Sequence, residues 1–207
     1  MRSETLFNKD WIFILKDNED FSKEETEESG FRKLDLPHDW SVDHAPDPEE
    51  KTGGGGGYGK SGVGWYRKHF SLKGITENER VYLYFEGIYM DSTVYINGKN
   101  AGGHCYGYTS FYLDATELVR EGENLIAVRV NNSLVPNSRW YSGSGIYRNV
   151  YLVRTNKVHF DHFGIRCATN GIYPERKTAS LQIRAQVVNQ SKGPVDTGVF
   201  HRIYDAC

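Results

Sequence analysis

Short alternating apolar segments, each closed by a turn signal, limit this chain to sheet structure. Val81-Tyr82-Leu83-Tyr84-Phe85 places Val81, Leu83 and Phe85 on one face and Tyr82 and Tyr84 on the other. Val94-Tyr95-Ile96 runs into Asn97-Gly98 and then Lys99-Asn100-Ala101. Asn-Gly between two such arms predicts a hairpin, because a type I′ turn needs positive φ at both central residues. Trp65 to Leu72, Leu125 to Val130 and Tyr147 to Val153 also read as strands. No long helical pattern occurs. The best helical piece is Asp114 to Val119, with Asp114 as cap, Glu117 closing a capping box and Gly122 as stop. The expected fold class is all-β, a sandwich or jelly roll. The 14 Tyr, 10 Phe, 4 Trp and 22 Gly among 207 residues suit that class and suit sugar-stacking surfaces.

A second unit is expected from about residue 158. Ala179 to Val188 predicts one strand and Gly198 to Asp205 the start of another, too few to close a sandwich. The segment Asp17 to Gly30 carries Glu19, Asp20, Glu24, Glu25, Glu27 and Glu28 and reads as a solvated loop or edge. A net charge of −2 gives no broad attraction to nucleic acid, so no nucleic-acid partner is expected. No apolar run has membrane-spanning length, so no membrane partner is expected either. The first eleven residues lack the apolar core of a signal peptide, which leaves the compartment open between periplasmic, secreted and cytoplasmic. Cys105, Cys167 and Cys207 are odd in number with no CxxC spacing, and read as three ordinary thiols.

Gly54 to Ser61, GGGGYGKS, satisfies the phosphate-loop pattern G-x-x-x-x-G-K-[ST]. A phosphate loop follows a buried apolar strand and opens a helix, whose free N–H groups hold the phosphates. Here Asp47 to Thr52 is polar and contains Pro48, and Gly62-Val63-Gly64-Trp65-Tyr66 disfavours a helix. The expectation is a Gly-rich loop leading into an aromatic strand. His159, Asp161, His162 and Cys167 give no standard zinc spacing, so no metal site is expected. No pair of carboxylates is framed for glycoside chemistry, and no nucleophile elbow occurs. Asn131 to Val150, NNSLVPNSRWYSGSGIYRNV, sets Arg139, Trp140 and Tyr141 side by side between two strands. Arg offers a donor fork for hydroxyls, and the aromatic rings offer stacking faces. A loop packed on its own aromatics explains the same residues equally well.

Several motifs occur in one order: Phe7-Asn8-Lys9-Asp10-Trp11, Leu36-Pro37-His38-Asp39-Trp40-Ser41, Gly64-Trp65-Tyr66-Arg67-Lys68, Phe85-Glu86-Gly87-Ile88-Tyr89-Met90-Asp91-Ser92, Gly107-Tyr108-Thr109-Ser110-Phe111 and Arg139 to Arg148. In this arrangement the chain resembles the N-terminal sugar-binding domain of the glycoside hydrolase family 2 β-galactosidases. The resemblance implies a galactose-binding-type jelly roll over residues 1–156. It implies the N-terminal part of a truncated immunoglobulin-like β-sandwich over residues 157–207. The catalytic barrel with its two glutamates would be a separate, missing partner, so this chain would hold no catalytic residue and no cofactor. It would act as scaffold and pocket wall toward a galactoside, with Arg139 foremost and Asn137, Trp140 and Asp39 as further substrate-binding candidates. A homo-oligomer is compatible with it. The alternative is a free-standing, lectin-like carbohydrate-binding module.

Overall fold

A computed structural model describes residues 2–134 and 140–204. The strands in chain order are β1 (Ser3–Leu6), β2 (Trp11–Leu15), β3 (Arg32–Leu34), β4 (Gly62–Leu72), β5 (Glu79–Phe85) and β6 (Ser92–Ile96), followed by β7 (Lys99–His104), β8 (Phe111–Asp114), β9 (Gly122–Asn132), β10 (Val150–Asn156), β11 (Val158–Tyr173) and β12 (Thr178–Asn189). Among the described residues the helical pieces are 3-10 turns of three or four residues. The fold is all-β. Arg2–Arg154 forms one compact unit, and residues from Thr155 onward form another.

The first unit is a β-sandwich. One sheet has the order β1-β10-β5-β8 and the other β3-β2-β4-β9-β6-β7. The long pair β4–β9 runs in unbroken register from Gly62↔Asn132 to Leu72↔Gly122. Tyr66, Phe70 and Leu72 of β4 and Ile126, Val128 and Val130 of β9 join the core with Val81, Leu83 and Phe85 of β5 and Val150 and Leu152 of β10. The period-2 pattern thus sends alternate side chains inward, and each such burial stabilises by about 1.5–3 kcal/mol. The Asn97-Gly98 turn joins β6 to β7 with φ of 49° and 75°, as a type I′ turn requires. The Asn97 amide reinforces it, donating to Leu118 O and Asn124 Oδ1 at 2.9 Å and accepting from Leu125 N at 2.8 Å.

Two segments show more than the sequence expectation. Asp114 to Val119 makes a single turn, the short end of the one or two turns expected before Gly122. Asp114 Oδ1 does accept the Thr116 N–H at 2.9 Å, but Glu117 points outward to Arg80 and closes no box. The turn's polar groups are spent on β5: Ala115 N donates to Val81 O, and Thr116 Oγ1 accepts from Val81 N.

The acidic segment 17–30 is a strap laid on the outer face of the six-stranded sheet. Its 3-10 turn Glu19–Ser22 buries Phe21 against Val63, Trp65 and Ala127. Arg67, whose side chain is 0% exposed, donates to Phe21 O at 2.5 Å, Lys23 O at 2.8 Å and Glu28 Oε1 at 2.8 Å. Arg129 reaches Asp17 and Glu19, and Arg120 reaches Glu24. Asp17, Glu19, Glu24 and Glu28 therefore answer arginines that β4 and β9 and the turn before β9 present on this face.

The arginines give the strap a pH dependence. The Arg120 hydrogen bond holds the Glu24 carboxyl below its ordinary value. Burial pushes Glu28 upward, but bonds from Arg67 and His69 outweigh it and leave it lowered. Both folded values lie below the ordinary 4.5, so this stabilisation is full above pH 4.5 and disappears as pH falls through the folded values. Hydrogen exchange followed by mass spectrometry is expected to show residues 17–30 losing protection on acidification before the β4–β9 pair does.

The second unit contains an antiparallel ribbon, β11 with β12, from Val158↔Asn189 to Tyr173↔Thr178, with bulges between Phe160 and Ile165 and between Thr169 and Gly171. No strand forms over 194–204, although the sequence predicts one from Gly198. Among the described residues that segment has no partner strand, and a strand is not stable alone. Asp161 accepts from Gln186 Nε2 and from the His162 N–H. Cys105 and Cys167 are free and exposed, and Cys207 lies outside the described residues.

Candidate functional site

Three motifs singled out in the sequence converge beside the Gly62↔Asn132 end of the β4–β9 pair. They are the turn at residues 38–43, the Gly-rich loop at 53–60 and the segment 140–147. Segment 144–146 is the centre of the arrangement. On one side its carbonyls accept from the turn, His38 N to Ile146 O at 2.8 Å and Trp40 N to Ser144 O at 3.0 Å. On the other, Gly145 and Tyr89 exchange a pair of backbone bonds, at 2.7 and 2.9 Å. Gly145 has φ +118°, and a Cβ there would collide with Tyr66 Oη and lie 2.9 Å from His38 O.

Side chains complete the junction. Trp40 is fully buried, stacks on Phe13 and donates from Nε1 to Lys60 O at 3.2 Å. Ser144 Oγ receives Ser41 Oγ and Asn132 Nδ2, each at 2.6 Å. Asp39 caps the 3-10 turn Trp40–Val42, its Oδ1 accepting from Ser41 N at 2.9 Å. The same oxygen accepts from Ser144 N at 2.7 Å, and Oδ2 accepts the Tyr141 hydroxyl at 3.1 Å. Burial, with the Asp39 charge and hydrogen bond, raises the Tyr141 hydroxyl to about 12.

A second network lies behind the first. His38 Nδ1 is 2.7 Å from the Tyr66 hydroxyl, and Nε2 is 2.9 Å from Asp43 Oδ2. Burial pushes His38 down and so favours the neutral ring, against the pull of Asp43. Arg32 Nη2 also lies 2.7 Å from Nε2, so that nitrogen is shared between a carboxylate and a guanidinium. Arg32 also pairs with Asp43. Burial raises Asp43, but His38 and Arg32 outweigh it and hold it low.

The Gly-rich loop has the geometry its flanks predict. Gly54–Gly56 forms one 3-10 turn, and strand β4, not a helix, follows at Gly62. Lys60 pairs with Glu50, and the Ser61 hydroxyl lies 3.4 Å from the same carboxylate. A helix N-terminus is therefore lacking at this loop, and its lysine is neutralised by an acid.

Of the substrate-binding candidates, Arg139 and Asn137 lie outside the described residues. Trp140 is 77% exposed beside the junction, while Asp39 is directed into it. Ser144 and Tyr66 are structural members that the sequence does not single out individually, and Tyr141, expected to offer a stacking face, bonds Asp39 through its hydroxyl. Their signal was present in the motifs, since Ser-Gly-Ser-Gly and Gly-Trp-Tyr lie in the two segments that meet. Chemically the cluster is suited to bind and to brace. Glycoside hydrolysis by a retaining route needs an acid with a raised pKa facing a second carboxylate. Asp43 is held low, Glu50 is held low by Lys60, and Asp39 accepts three hydrogen bonds from the junction itself.

The fold and this rim define a β-sandwich module that presents an aromatic edge and no acid–base pair of its own in the cluster. Residues 58–156 match the family described as glycosyl hydrolases family 2, sugar binding domain. The chain carries the N-terminal sugar-binding domain of glycosyl hydrolase family 2. It is 40% identical over 206 residues to β-galactosidase BoGH2A of Bacteroides ovatus, covering 99% of this chain and 24% of that protein. It is 43% identical over 192 residues to a protein of Formosa agariphila named "Putative beta-glucuronidase", covering 93% of this chain and 18% of that protein, and 31% identical to a β-glucuronidase of Bacteroides fragilis, covering 87% of this chain and 24% of that one. A crystal structure of a β-glycosidase from Bacteroides vulgatus superposes with a TM-score of 0.86 at 36% identity, over 92% of this chain and 25% of that chain. The chain spans between 18% and 24% of the length of the first curated relatives it matches.

Proposed function

We propose that this chain is a non-catalytic N-terminal part of a retaining family 2 glycoside hydrolase that removes terminal β-galactose. It serves as scaffold and as one wall of the substrate pocket. The observation that carries the reading is the match across 99% of the chain to a protein named β-galactosidase, together with a family 2 sugar-binding domain. The engaged carboxylates support a bracing role over a chemical one. Trp140, with its exposed indole, is the described residue best disposed to stack on a sugar face. Arg139 and Asn137 are assigned to the sugar by resemblance, and Asp39 is reconsidered below. The partner is a catalytic barrel carrying the two glutamates.

Relatives named β-glucuronidase make the sugar the point to test. The intact enzyme that carries this chain is expected to hydrolyse p-nitrophenyl β-galactoside with a higher kcat/KM than the β-glucuronide, and this chain alone is expected to hydrolyse neither. A preference for the glucuronide would overturn the galactoside assignment. Tight binding of galactose or lactose by this chain alone, seen by calorimetry, would replace the reading with a lectin-like module.

A further inference from the structure

We propose that Tyr141 and Asp39 are a positioning pair. They fix the segment that carries Trp140, and so set sugar affinity, without touching sugar themselves. The inference rests on the functional reading above.

The seat for Tyr141 is built from four residues. Its hydroxyl donates to Asp39 Oδ2 at 3.1 Å. Its ring lies against two glycines of the 53–60 loop: a Cβ at Gly57 would sit 3.2 Å from Tyr141 Cδ2, and one at Gly59 3.5 Å from Cε2. The fourth is Gly143, where a Cβ would collide with Asp39 Oδ2. The glycine run that resembled a phosphate loop thus provides the floor under one phenol ring. Asp39 is held independently, since its Oδ1 takes the Ser41 and Ser144 N–H groups. Ser144 is in turn tied to Ser41 and Asn132.

This arrangement separates two roles within adjacent residues. Tyr141 is 47% exposed but is held through its ring edge and its hydroxyl, whereas Trp140, one residue earlier, is 77% exposed. Fixing the backbone at residue 141 limits the attitudes the indole can take, which lowers the entropy lost when a ligand stacks on it. Asp39 has one oxygen engaged by two N–H groups and the other by a phenol, so its carboxylate serves the backbone of the junction. Its assignment in the sequence as a sugar ligand is replaced here by a positioning role.

Tyr141→Phe keeps the ring on the glycine floor and removes only the hydroxyl. Asp39→Asn keeps an oxygen for the two N–H groups and offers an amide N–H to the phenol oxygen, preserving the link. In the intact enzyme Tyr141→Phe is expected to raise KM about fivefold to tenfold with kcat within about twofold, as loss of uniform binding does. Asp39→Asn is expected to stay close to wild type in both. A direct sugar contact by Asp39 would instead make Asp39→Asn raise KM, because an acceptor becomes a donor. That result, or an unchanged KM in Tyr141→Phe, overturns the proposal.

A second readout needs no substrate. Trp11, Trp40 and Trp65 are buried and Trp140 is exposed, so acrylamide-quenchable fluorescence in this chain reports Trp140. Its anisotropy is expected to fall in Tyr141→Phe and to hold in Asp39→Asn. Unchanged anisotropy in Tyr141→Phe overturns the pair's role. An intact enzyme inactive on both glycosides would sink the functional reading alone, because the fluorescence arm still decides on the pair.

Discussion

Gly145→Ala is expected to destabilise the sandwich by roughly 3 kcal/mol or more, the sum of a positive-φ penalty and of overpacking. The backbone at Gly145 has φ +118°, and its missing side chain is replaced in space by Tyr66 Oη and His38 O. Relaxation is blocked on both flanks. Ser144 and Ile146 accept from the 38–40 turn, and Gly145 is itself paired with Tyr89. Urea unfolding followed by tryptophan fluorescence checks this, since Trp40 lies 3.2 Å from where the Cβ would stand. A loss below about 1 kcal/mol, within the range of ordinary surface substitutions, would contradict the packing described for this segment.

Arg67→Ala is expected to cost about 3 kcal/mol, because it orphans buried partners of a buried charge. The guanidinium answers two backbone carbonyls and the Glu28 carboxylate; His69, also on β4, bonds only that carboxylate and leaves the carbonyls to Arg67. The damage is expected to be local. Limited proteolysis should cut within residues 17–30 in the variant while the β4–β9 core stays intact. Arg129→Ala is the control. Its acids, Asp17 and Glu19, are more than half exposed, so it is expected to cost less than about 1 kcal/mol. Equal losses from the two variants would refute the strap's dependence on Arg67.

The contrast between these positions explains what could be seen in the sequence. The Val81, Leu83 and Phe85 alternation and the Asn97-Gly98 turn were legible because their cause is local: a two-residue period and a φ requirement. Asp114 to Val119 kept its cap and its turn but not its capping box, because Glu117 faces Arg80, distant in sequence. The acidic segment is the exposed loop its charges predict, but its anchoring could not be read: Arg67, Arg120 and Arg129, which hold Asp17, Glu19, Glu24 and Glu28, are distant in sequence.

At the candidate site the motifs were legible and their division of labour was not. Nothing within Leu36-Pro37-His38-Asp39-Trp40 indicates that Asp39 faces Ser144 and Tyr141, which lie over a hundred positions further on. Likewise the glycine run could be stripped of phosphate binding from its flanks alone. Its use as a floor for Tyr141 depends on a contact across the fold.

The strap also sets an order of events in folding. Its clamps join residues 112 positions apart in the Asp17–Arg129 pair and 96 apart in the Glu24–Arg120 pair. Such contacts close large loops and reward the chain only after the intervening strands have formed. As synthesis proceeds from the N-terminus, the acidic segment emerges more than ninety residues ahead of its outermost arginines. The Arg67 clamp spans only 44 to 46 positions to Lys23 and Phe21, so the strap's inner anchor on β4 is available before its outer arginines are, and the outer pairs are expected to form after it.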